Sequence, residues 1–134
     1  MALGAQQSKQ PTSLPDPSTM DDSKHWYLMR KAMQAKGTGK DAHHIVPLES
    51  YKKLPLLMQK AAEGGFDIDG KSNGILLKRG EDHNGGHPIY NKEMLRKLSA
   101  IDPCLSPRST ARAVDTVAYT MKKAIKNKTF GPWG

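Results

Sequence analysis

Four of the five histidines in the chain fall between residues 43 and 87, and their spacing is where chemistry can be argued from. His43 and His44 are adjacent. On an extended strand, neighbouring side chains point to opposite faces, so the two rings cannot bind one ion in the same way. The pair suits a division of labour instead. One imidazole ligates a metal while the next handles a proton, as an ordinary imidazole pKa near ~6.5 allows. The plainer alternative is one satisfied, partly buried histidine beside a surface one. His83 and His87 are four apart, which on a helix would put both rings on one face, as paired metal ligands often are. Gly85 and Gly86 between them, and Pro88 after them, oppose a regular helix here. The reading is therefore a tight loop carrying His83, with His87 at a helix entrance and both converging on one ion. In the alternative, His87 only caps the helix.

The rest of the composition narrows the classes. With 134 residues the chain has room for one domain, or one domain and a tail. Lys and Arg total 21 against 13 Asp and Glu, a formal charge of +8 that points to an anionic partner, nucleic acid first. Cys104 is the only cysteine, which rules out an intrachain disulfide and a Cys-based zinc finger, so a metal site must come from His, Asp, Glu or Asn. The longest apolar runs, Leu54–Met58 and Ile75–Leu77, fall far short of the ~18 residues of a membrane span, and the N-terminus lacks an apolar signal core. No membrane insertion is expected. Charge is unevenly placed: residues 43–89 are balanced, while 90–134 carry nine basic and three acidic residues. A chemical centre and a polyanion-binding surface thus separate along the chain.

The elements that must position the histidines follow from local patterns. Residues 1–19, rich in Gln, Ser and Pro, read as a flexible leader or linker, and 20–134 as one domain. Asp21, Asp22 and Ser23 supply helix-start chemistry for a helix over roughly 23–36, ended by Gly37 and Gly39. Ala42–Val46, closed by Pro47, reads as a strand. Leu48–Ala62 reads as a helical insertion broken at Pro55 and ended by Gly64-Gly65. A second strand is expected at 73–78, a helix from Pro88 to Ile101, and a last helix capped by Ser106 with Ala111, Val114, Val117 or Ala118, Met121 and Ile125 on its apolar face. The order predicts a small α+β domain. Trp26, Tyr27, Tyr51, Tyr90 and Tyr119 sit in helical patterns and are expected in the core, and neither His25 nor Cys104 suggests more than a structural place.

Ala42-His43-His44-Ile45-Val46-Pro47, then Asn73-Gly74-Ile75-Leu76-Leu77, then His83-Asn84-Gly85-Gly86-His87-Pro88-Ile89-Tyr90-Asn91 stand in an order that resembles the AHH branch of the HNH/endonuclease VII group of His-Me finger nucleases. That group includes toxin domains of bacterial polymorphic and secreted toxins. The resemblance covers about 42–91, and the flanking helices match only in type. It implies a ββα-metal core with flanking α-helices, His43 as a metal ligand, His44 as the general base, and Asn73 holding the His44 ring through a hydrogen bond. His83 and His87 would be further ligands, both on the ion or one of them on phosphate instead, with Asn91 in reserve.

The implied reaction is hydrolysis of phosphodiesters with little sequence preference, DNA favoured over RNA, served by one divalent ion: Mg, Zn, Ni or Mn. Imidazole donors suit Zn or Ni better than Mg. Lys78 and Arg79 after the second strand, and Arg96 and Lys97 in the following helix, are the phosphate-contact candidates, joined by Arg108, Arg112, Lys122, Lys123, Lys126 and Lys128; each taken singly also fits a solvated face. The resemblance further implies a bacterial, secreted toxin acting in the cytoplasm of a target cell, and an acidic immunity protein as partner. The competing readings are a noncatalytic nucleic-acid-binding module stapled by a His-bound zinc and an interaction domain whose basic face meets an acidic protein.

Overall fold

The computed structural model describes residues 21–78 and 87–132, so the leader at 1–19, Arg79 and His83 lie outside the described residues. The elements run α1 (Asp22–Ala32), β1 (Lys40–His44), α2 (Leu48–Lys53), α3 (Pro55–Glu63), β2 (Gly74–Lys78), α4 (Pro88–Ser99) and α5 (Pro107–Lys126), with a 3-10 turn at Lys71–Asn73 leading into β2. This is the expected α+β order. The Asp21 carboxylate caps α1 by accepting from the backbone N–H groups of Ser23 and Lys24. Pro55 divides the insertion as expected, since its ring cannot continue the preceding helix but suits the first turn of the next. Ser106 caps α5, whose buried face carries Ala111, Val114, Ala118, Met121 and Ile125. Helix α1 ends at Ala32, earlier than expected, because Gln34 turns into the left-handed region. No helix among the described residues is long and apolar enough to cross a membrane.

β1 and β2 pair antiparallel, with Ala42 opposite Leu76, His43 opposite Ile75 and His44 opposite Gly74. The ladder therefore begins two residues before the expected strand start. Directly opposed residues share a face, and faces alternate along each strand. Ala42, His44, Gly74 and Leu76 thus form one face, and His43, Ile75 and Leu77 the other. The first packs on α1: Met29, Ala35 and Ala42 form a small cluster with Met33 and Leu76 against it. Gly74 permits this approach, because a Cβ there would stand 2.5 Å from the Met29 sulfur. The second face joins the main core, in which Ile75 and Leu77 pack with Ile45, Val46, Met58, Ile68, Tyr90, Met94, Leu98 and the buried side of α5. A two-stranded hairpin is marginal alone, so helices on both faces stabilise it.

The end of the strand pair at which the chain leaves β1 and re-enters β2 is clasped by Asn73. Its Oδ1 accepts from the Val46 N–H at 2.8 Å, and its Nδ2 donates to the carbonyls of Val46 at 3.1 Å and Ile68 at 2.9 Å. The side chain is fully buried, and its amide donors are both engaged by backbone. Asn73→Ala leaves one N–H and two carbonyls in the interior without this partner, and we expect a loss of about 3 kcal/mol or more in urea denaturation. A midpoint within error of the unmodified chain would show that the clasp contributes nothing.

Candidate active site

β1 ends at the site, and its pleat delivers the two adjacent rings to different surroundings. His43, on the core face, meets the edges of two rings from α4. Its centroid lies 5.3 Å from that of His87 and 5.1 Å from that of Tyr90. Tyr90 is the fixed point behind them: it is fully buried, its hydroxyl donates to the Ile45 carbonyl, and it stacks on Phe130. Burial pushes its phenol pKa well above the ordinary tyrosine value. The phenol therefore stays neutral as a hydrogen-bond donor tying α4 to the end of β1.

His87 is the N-cap of α4 with φ 30° and ψ 62°, in the left-handed region. Pro88 opposes a right-handed helical conformation in the residue before it, and histidine tolerates the left-handed one better than most side chains. A non-glycine residue held there costs on the order of 1–3 kcal/mol, and such strain concentrates at functional sites. The ring Nδ1 lies 3.2 Å from Asn91 Oδ1 one turn on. With the amide oxygen accepting, Nδ1 carries the hydrogen and the ring lone pair sits on Nε2. Asn91, expected as a reserve ligand, stands with its amide oxygen beside the His87 ring.

His44, on the α1 face, has different company. Its Nε2 lies 2.8 Å from Asp69 Oδ1, and the other oxygen of that carboxylate lies 2.6 Å from Nδ1 of His25 in α1. All three side chains are largely buried. Asp69 is itself set by a turn in which its N–H donates to Asp67 Oδ1. The structure departs from expectation here: the hydrogen bonds of Asn73 go to Val46 and Ile68, and Asp69 holds the His44 ring. An asparagine so close to strand β2 is better used as a backbone clasp, because the chain ends it joins bring otherwise unsatisfied polar groups into the interior. His25, expected to have only a structural place, is the outer partner of the carboxylate. No motif marked either residue. The available signal was an Asx-type turn, Asp67-Ile68-Asp69-Gly70, directly before the Asn73 segment.

A cleft of about 210 Å³ opens beside these rings, lined among others by Trp26, His43, His44, Glu49, His87 and Asn91. Tyr51 and Tyr90 are core residues as expected, whereas Trp26 (49% exposed), Tyr27 and Tyr119 are on the surface, and Trp26 forms a cleft wall with the Arg30 guanidinium 5.1 Å from its ring centre. The helical spacing of these residues did not distinguish the two sides of α1 and α5.

His43 and His87 are the cleft histidines whose rings meet, and so the two described imidazoles that could be offered to one ion. Their ring centres stand 5.3 Å apart at an interplanar angle of 85°, an edge contact like the one of 5.1 Å that His43 makes with Tyr90. Among the described residues no third His, Cys, Asp or Glu joins them in a metal-holding group.

The phosphate-contact candidates divide. Lys78 is exposed at the end of β2. Arg96 is held by two hydrogen bonds to Glu93, with Lys97 3.6 Å from the same carboxylate, so their charge is shared within α4. Those hydrogen bonds lower the Glu93 pKa and raise that of Arg96. Lys122 of α5 stands near Lys126 of the same helix and near Lys71, two residues beyond Asp69 in sequence. Partial burial, then the two like charges, lower the Lys122 pKa.

No curated protein and no solved structure matches the chain. A model of the AHH family, a nuclease family of the HNH/ENDO VII superfamily with conserved AHH, matches residues 26–128. That span holds Ala42-His43-His44 and every side chain of the cleft named above. The chain accordingly belongs to the AHH family of nucleases.

Proposed function

We propose that the protein is a metal-dependent endonuclease of low sequence preference that hydrolyses phosphodiesters, DNA favoured, with His44 as general base and a divalent ion on His43 and His87. One observation carries the reading: a single strand end presents one ring to a second imidazole and the next ring to a carboxylate, both beside one cleft. A divalent ion there, with His83 as a further ligand, would supply positive charge to a phosphate oxygen and to the departing 3′ oxygen. His44 accepts a proton from the attacking water as the new bond to phosphorus forms. The 3′ oxygen leaves with its bonding pair and is protonated from solvent, giving a 5′ phosphate and a 3′ hydroxyl. His44 then returns its proton to solvent. Asn91 orients His87, and Tyr90 backs both ligand rings.

Lys71, Lys78, Lys122 and Lys126 carry positive charge that would hold the polyanion by its backbone, which gives affinity without base readout. The resemblance to polymorphic-toxin nucleases and the net charge of +8 support a role as a bacterial toxin domain acting in a target-cell cytoplasm and blocked by an acidic immunity protein.

Purified protein should nick plasmid DNA in at least one of Mg, Mn, Ni or Zn, and chelator should stop it. His44→Ala should slow cleavage by about 10²–10⁴ while ion and DNA binding persist; undiminished cleavage by this variant would sink the assignment of the base. In titration calorimetry, His43→Ala and His87→Ala should each weaken ion binding at least about tenfold. Unchanged affinity in both would remove the proposed ligand pair. DNA retention without cutting under every ion would favour the noncatalytic zinc-stapled module. Lys122→Ala and Lys126→Ala should each lower the salt dependence of DNA binding by about one ion, and an unaltered slope in both would place the DNA elsewhere.

A further inference from the structure

The carboxylate between His25 and His44 belongs to neither the ligand pair nor the family motif, yet it touches the proposed base directly. An aspartate carboxylate offers acceptors only. With Nε2 of His44 at 2.8 Å from one oxygen and Nδ1 of His25 at 2.6 Å from the other, both rings turn an N–H toward Asp69. A neutral His44 ring in this contact carries its hydrogen on Nε2 and its lone pair on Nδ1. His25 is fixed in its turn: α1 carries it, the ring is buried, and its Nδ1–H is committed to the carboxylate. The cluster joins three separate parts of the chain: α1, the end of β1 and the turn before Asn73.

We propose that Asp69 is the positioning residue of the base, holding His44 as its Nε2–H tautomer so that Nδ1 is the atom that takes the proton of water, with His25 keeping the carboxylate in place. This rests on the reading of His44 as general base. As the O–H bond of water breaks, its proton passes to Nδ1, and the resulting imidazolium lies against the Asp69 carboxylate, whose charge opposes the one gained. The carboxylate itself takes up no proton. A ring free to adopt the other tautomer would present a hydrogen to the water for part of the time, and turnover would fall with substrate binding unaffected.

The test uses the full chain with the ion that supports cleavage of plasmid DNA. Asp69→Ala should lower kcat on the order of 10²-fold and leave KM within about twofold. Asp69→Asn should lose less, because its amide oxygen still accepts from one of the two rings. In the His44→Ala background, Asp69→Ala should produce no further loss, since the carboxylate acts through the ring; a merely structural staple would lower the residual activity again. Nitrogen-15 spectra of the unmodified protein should show His44 with its hydrogen on Nε2, and Asp69→Ala should shift that signature towards a tautomer mixture. A kcat within about threefold in Asp69→Ala, or a hydrogen on Nδ1 of His44 in the unmodified protein, would overturn the proposal. The spectrum decides even where the Ala variant does not fold. Activity surviving in His44→Ala would instead overturn the reading of the base on which the proposal rests.

Discussion

The pleat of a five-residue strand is the constraint on which the site depends. Side chains of a strand alternate between faces, and antiparallel pairing with Gly74–Lys78 fixes which face each residue of Lys40–His44 takes. A slip of one residue would exchange the environments of His43 and His44: the ring now against Tyr90 and His87 would meet α1, and the ring now against Asp69 would enter the core. Register is held at the connected end by Asn73, whose three hydrogen bonds tie the segment after β1 to the turn before β2. A buried amide with specific partners is a stronger determinant of register than two short strands could supply by themselves.

Each face then recruits its own helix. On one side, Gly74 lets the methionines of α1 lie against the backbone, and that approach carries His25 to Asp69. On the other, Tyr90 links α4 to the Ile45 carbonyl and sets the height of His87. The hydrogen bonds and ring contacts at the site are therefore consequences of how two helices dock on opposite faces of one hairpin. The left-handed backbone at His87 is accommodated in this arrangement because Pro88 starts α4 immediately afterward and Asn91 accepts from the ring.

Charge follows a different logic from geometry. The net positive charge of the last third is a property of composition, and it suits a nuclease whose substrate is a polyanion. Its distribution over the surface comes from packing. Arg96 and Lys97 meet Glu93 within α4, whereas Lys122 of α5 feels the charges of Lys126 in its own helix and of Lys71 in the 3-10 turn before β2. Neighbours brought by the fold decide which of these charges remain directed at a partner.

Local chemistry determined much of the architecture. Asp21 and Ser106 as caps, Pro55, Pro88 and Pro107 at helix starts, and the apolar stripe of α5 each act over a few residues, so they are legible without the rest of the chain. The adjacency of His43 and His44 likewise determined that their surroundings must differ, because alternation is a property of any strand. Only the tertiary structure decided which partners they meet. Asp69 lies 25 residues from His44, and His25 lies 44 from Asp69; no short-range pattern links them, and only docking of α1 on the hairpin brings them together. The same holds for Trp26, whose helical spacing is shared by buried and exposed residues alike, and for Asn73, whose amide serves whichever backbone groups the closing chain leaves beside it. Contacts between distant segments arise from packing, and packing depends on every element at once.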